Sequence, residues 1–82
     1  MKEKLSQLGV PPAAIQNGGQ EILRAFVVNG GLHVSLQRAF DEPDAWGILL
    51  ADLARHAARI YATDTKLTTD AALTRIRTLF DA

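Results

Sequence analysis

Residues 21–37 read EILRAFVVNGGLHVSLQ. Two β-rich runs flank Asn29-Gly30-Gly31, and Asn and Gly tolerate the positive φ that tight hairpin turns require. The spacing predicts a β-hairpin over residues 21–38. Register then decides which face is buried, because a slip of one residue turns every side chain over. A two-residue loop at Asn29-Gly30 sets Val27 against Leu32, Ala25 against Val34 and Leu23 against Leu36, so six apolar side chains share one face. The other face then holds Ile22, Arg24, Phe26, His33, Ser35 and Gln37. A three-residue loop joins Phe26 to Val34 but brings Arg24 opposite Leu36 on the apolar side. The two-residue loop is preferred because it strands no charge in a core.

That register leaves Ile22, Phe26 and Val28 as a second apolar patch. A two-stranded ribbon has two free edges and is marginal alone. The patch and the edges together lead to the expectation of a homodimer whose interface is Ile22, Phe26 and Val28.

Upstream, residues 1–20 mix polar residues with Pro11, Pro12, Gly9, Gly18 and Gly19. Val10 and Pro11 each precede a proline and are pushed toward extended backbone. We expect a loose amino-terminal arm, partly disordered or draped on the body, with a short helical turn over Lys2–Leu8. Leu5, Leu8, Val10 and Ile15 are its candidate anchors. Residues 21–82 are expected to form a single α+β domain.

Downstream, Asp41 is placed to cap a helix, Pro43 suits its first turn and Asp44 its positive dipole end. The helix is predicted over residues 42–62. Trp46, Leu49, Leu50, Leu53, Ala57, Ile60 and Tyr61 recur at helical spacing as its apolar stripe. A second line of small residues, Gly47, Ala51, Ala54 and Ala58, predicts close approach of the sheet or of another helix. Thr68 is the cap of a second helix over residues 69–80, whose inner stripe is Ala72, Leu73, Ile76, Leu79 and Phe80. The expected fold is α+β: a β-hairpin followed by two α-helices packed on one of its faces.

The candidate chemistry gathers on the first long helix. Asp52 and His56 lie four apart, and Arg55 and Arg59 lie three from Asp52 and His56 respectively, so all are neighbours on one helix face. A carboxylate beside an imidazole can orient a base or hold part of a metal. Zinc needs three or four ligands, however, and His33 is the other imidazole of the chain. The plainer reading is a solvated face with helical ion pairs. His33, on the hairpin's outer face, reads most simply as a strand residue stacked on its cross-strand neighbour. Trp46 near a helix start reads as a core anchor, with a ligand platform as the sharper alternative. Gly18-Gly19 lacks the order of a phosphate loop, and neither Ser6 nor Ser35 lies in a nucleophile elbow.

The totals set bounds. Eighty-two residues make one small chain, 48% hydrophobic and 22% charged. A domain this size buries roughly 60–65% of its unfolded surface, and about 4–12 kcal/mol of stability is expected. Nine basic residues balance nine acidic ones, which gives no global field for nucleic acid or acidic membranes. The absence of cysteine excludes disulfides and thiolate metal sites and fits a reducing cytoplasm. No window has the length of a membrane span, and the start has no continuous apolar core of signal-peptide length.

The segments EILR (Glu21–Arg24), GGLH (Gly30–His33) and the run Asp41–Tyr61, with its D-x-P-x-A-W-G-x-L-L-A-D-x-A-R-H-x-A-x-x-Y pattern, resemble a family of short bacterial proteins, mostly alphaproteobacterial, known only as a domain of unknown function. The resemblance implies a bacterial source and an α+β fold and transfers no catalytic residues. The leading expectation is a small, cytoplasmic, non-enzymatic interaction module that homodimerises through its hairpin, without cofactor, nucleic acid or membrane. The alternative is a small-molecule or metal-binding protein using His33, Trp46, Asp52 and His56. That alternative requires the helix to pack across the hairpin.

Overall fold

The chain reverses at Asn29 and Gly30, whose φ angles are 52° and 80°. Both values lie in the left-handed region, which Asn and Gly enter at little cost. The turn joins β1 (Leu23–Val28) to β2 (Gly31–Leu36) in an antiparallel ladder. The paired residues are Leu23 with Leu36, Arg24 with Ser35, Ala25 with Val34, Phe26 with His33, Val27 with Leu32 and Val28 with Gly31. This is the two-residue-loop register, and one face carries the six apolar side chains. The Gln37 amide adds a further rung by donating to the Ile22 carbonyl at 3.1 Å. The Gln37 side chain donates to the Glu21 carbonyl at the same end.

These elements belong to a computed structural model that describes residues 4–82. The hairpin and the helices after it make an α+β protein. The chain divides into two compact units, Met1–Ala39 and Phe40–Ala82. The division falls between the hairpin and the long helix. Among the described residues no helix is long and apolar enough to cross a membrane.

The amino-terminal segment departs from expectation. Residues 4–8 of the expected turn over Lys2–Leu8 are not helical, and residues 2 and 3 lie outside the described residues. The helix of this segment is α1, Pro12–Asn17. Pro11 stays extended at φ −57° and ψ 138°, and its carbonyl accepts from Ala14 N at 3.0 Å. Pro12 then occupies the first helical position, where a missing amide hydrogen costs nothing. Gly18, at φ 73°, ends the helix.

The second unit is a helical pair. α2 runs Asp44–Asp64 and α3 runs Thr69–Phe80. α2 begins two residues later than predicted, and Asp41 is not its cap. Pro43 takes the cap position in helical backbone, without a side-chain cap bond, and short turn bonds from Ala45 N to Glu42 O and Trp46 N to Pro43 O lead the chain in. Glu42 and Pro43 thus supply the carbonyls for Ala45 N and Trp46 N, and Asp41 lies outside this lead-in turn. At its other end Thr65 donates through both its amide and its hydroxyl to the Tyr61 carbonyl, at 2.9 and 2.6 Å. α3 has the predicted bounds. The Thr68 hydroxyl accepts from Ala71 N at 3.1 Å, the bond an N-cap makes.

Burial in the helical pair follows small residues. Ala58 of α2 and Ala72 of α3 are the buried apolar residues among those described, at 0% and 3% exposure. The small-residue row thus meets another helix at short range at its Ala58 end. The leucine stripe is more open than its pattern implies: Leu50 and Leu53 are exposed, as are Ile60 and Tyr61. In α3, Leu73 and Ile76 are half-buried, while Leu79 and Phe80 are exposed at 80% and 67%.

Candidate interaction surfaces

The hairpin's six-residue apolar face is its most exposed apolar feature. Val27 is 78% exposed, Leu32 71%, Leu36 59% and Val34 50%. Isolated exposed aliphatics are ordinary on protein surfaces, but a contiguous ladder of them marks an interaction site. The ladder carries no charge, since Leu23 and Ala25 complete it. The charged and polar groups Arg24, Ser35 and His33 lie on the opposite face, where Arg24 Nε also binds Glu21 Oε2 at 3.0 Å.

The opposite face holds the three residues assigned to an interface from sequence. Ile22 and Phe26 are half-buried there, and Val28 is 47% exposed. The ladder puts these residues and the six apolar ones on the two faces that the sequence pattern gives. Alternation tells which residues share a face and not what covers them.

The four residues weighed for a ligand or metal divide between the two units. His33 stands on β2, directly opposite Phe26. Its Nε2 lies 3.7 Å from the position a Cβ on Gly31 would take, so the imidazole reaches back along the strand over a glycine. Asp52 and His56 share the solvent face of α2. Asp52 Oδ1 accepts from Arg55 Nη1 at 3.3 Å, and His56 Nδ1 contacts Arg59 Nη1 at 3.4 Å. Both members of the Asp52–Arg55 pair are more than half exposed, so the pair is worth at most a few tenths of a kcal/mol. Trp46 is engaged elsewhere on α2. Its ring meets Phe40 edge-on, with centroids 5.7 Å apart and an interplanar angle of 79°. Ten residues separate it from His56, about 15 Å along the helix axis. Among the described residues no group of three or more His, Cys, Asp or Glu is placed to hold a metal ion.

The helical unit has a second apolar surface that the sequence reading missed. An open groove of ≈ 790 Å³ runs between α2 and α3, with Gly47, Leu50 and Ala54 on one wall and Leu73, Ile76 and Phe80 on the other. Arg55, Arg77 and Asp81 stand at its margin. A side chain built on Gly47 would meet nothing within 4 Å. The signal for this groove was present in the small-residue row, which α3 fills at one end only.

The chain belongs to the DUF5076 family, a domain of unknown function, which matches residues 7–82. The match extends the resemblance drawn from Glu21–Tyr61 over the last helix and most of the amino-terminal segment. A solved chain from the photosynthetic bacterium Rhodopseudomonas palustrus CGA009, provisionally named a pyruvate dehydrogenase, shares 46% identity with it. That similarity covers 98% of this chain and 94% of the other, with a TM-score of 0.79. No curated protein matches the chain.

Proposed function

We propose that this member of the DUF5076 family is a small non-enzymatic interaction module of the cytoplasm, and that it works as a homodimer joined through its hairpin. The observation that carries the reading is the exposed ladder of Val27, Leu32, Val34 and Leu36 on a ribbon of only two strands. Covering one such side chain completely is worth about 1.5–3 kcal/mol. Association itself costs roughly 4–15 kcal/mol, so one or two contacts would not hold a dimer and most of the ladder has to be covered on both copies. An uncharged apolar ladder is complementary to itself under a two-fold axis, which makes a second copy the partner it fits. The broader exposure of this face shifts the expected interface from Ile22, Phe26 and Val28 to the ladder. The cytoplasmic setting rests on the cysteine-free sequence.

The test is the association constant of the 82-residue chain and of Val27→Thr/Leu32→Thr, measured by sedimentation equilibrium. Threonine keeps strand propensity while removing apolar surface. The double variant should keep the wild-type circular dichroism and associate at least about tenfold more weakly. Association that is unchanged by it, but abolished by Phe26→Asp, would move the interface to the opposite face. Association unchanged by both would remove the hairpin from the interface.

A further inference from the structure

We propose that the groove between α2 and α3 is a docking surface for α2 of a second copy, packed antiparallel about a two-fold axis near Ala51. The groove is lined by Leu50, Leu73, Ile76 and Phe80, and its α2 wall falls to Gly47 and Ala54. Such a wall admits a helix at short range, as this chain already shows where Ala58 and Ala72 are buried in the α2–α3 pair. The occupant is identified by charge. Asp44 and Arg55 are both exposed and eleven residues apart, so they lie within about 20° of one another around α2. In an antiparallel two-fold pair each flank of the helix meets the same flank of its mate. Asp44 lies seven residues from Ala51 and Arg55 lies four residues to the other side. The symmetry therefore brings Asp44 of one copy within about 4.5 Å, along the axis, of the partner's Arg55. An arginine side chain spans that offset, and the contact occurs twice. A parallel pair would instead set Asp44 level with the partner's Asp44 and about 16.5 Å along the axis from its Arg55, so neither charge would meet an opposite one. The same packing lays apolar surface near Phe80, 67% exposed in the single chain.

This interface is separate from the hairpin contact and is tested apart from it. The chain has no cysteine, so one introduced thiol reports alone. Under mild oxidation Ala51→Cys should form a covalent dimer, because a residue beside the axis meets its own copy at disulfide distance. Leu50→Cys is a second reporter on the groove, and His56→Cys, on the solvent face of α2, is the control. Cross-linking at Ala51 or Leu50 should exceed that at His56 by about tenfold or more. It should persist in the Val27→Thr/Leu32→Thr background, which separates its failure from failure of the hairpin reading. Adding Arg55→Glu should suppress the cross-link, and adding Asp44→Arg to that variant should restore it. Equal cross-linking at positions 50, 51 and 56, or a charge swap that does not recover the dimer, would overturn the proposal.

Discussion

At the scale of single residues, the local chemistry of capping and turning explains where this chain starts and stops its elements. Thr68 was legible because an N-terminal turn leaves amides without partners and a threonine hydroxyl supplies one. Thr68→Ala removes the bond to Ala71 N and should lower stability by about 1 kcal/mol in urea denaturation, while Thr68→Ser should retain most of it. Gly30 was legible for a different reason, its φ of 80°. Gly30→Ala should cost about 1–2 kcal/mol, read from the same denaturation curves. Asp41 was misread because Pro43, with its fixed φ, takes the cap position in helical backbone and starts the helix two residues further on. Asp52, His56 and Arg59 are exposed on α2, and Arg55 stands at the margin of the groove. Asp52→Ala/His56→Ala should therefore change stability by no more than about 0.5 kcal/mol, and a larger loss would mean these groups support structure in the assembled protein.

At the scale of elements, the hairpin and the α2–α3 pair show which patterns carry information. The hairpin register was legible because only one pairing keeps Arg24 off the apolar face. It is checked by NMR. Val27–Leu32, Ala25–Val34 and Leu23–Leu36 are the closer, non-hydrogen-bonded pairs, so their α-protons should show cross-strand contacts. Contacts between Phe26 and Val34 in their place would reveal the three-residue loop. α1 was not legible, since Pro11-Pro12 reads equally as extended chain or as a helix start, and only the backbone of Pro11 tells which. The helical pair was legible in its bounds and only partly in its packing. Large apolar side chains suggested the leucine stripe as the buried seam, yet the close contact is made by alanines. Ala58 is fully buried. Ala58→Leu should thus cost about 1–3 kcal/mol through overpacking, and Ala58→Gly should cost about 1 kcal/mol through helix propensity.

At the scale of the whole molecule, the amount of covered apolar surface sets the account. Sixteen large apolar side chains are exposed among the described residues, while the fully buried ones are alanines. An alanine core contributes little transfer free energy, so a chain of this size needs further burial to reach ordinary stability. Under the proposed self-association, the interface supplies it without a larger core and couples stability to protein concentration. The melting temperature of the 82-residue chain should therefore rise with concentration, and a melting temperature independent of concentration would speak against that coupling. The measurement that tests the central claim most directly is sedimentation equilibrium of the chain over about 1–100 µM, beside Val27→Thr/Leu32→Thr. The account predicts a mass that is an even multiple of the 8.9 kDa chain, with association weakened at least about tenfold by the double substitution. A mass of 8.9 kDa across the whole range would contradict it.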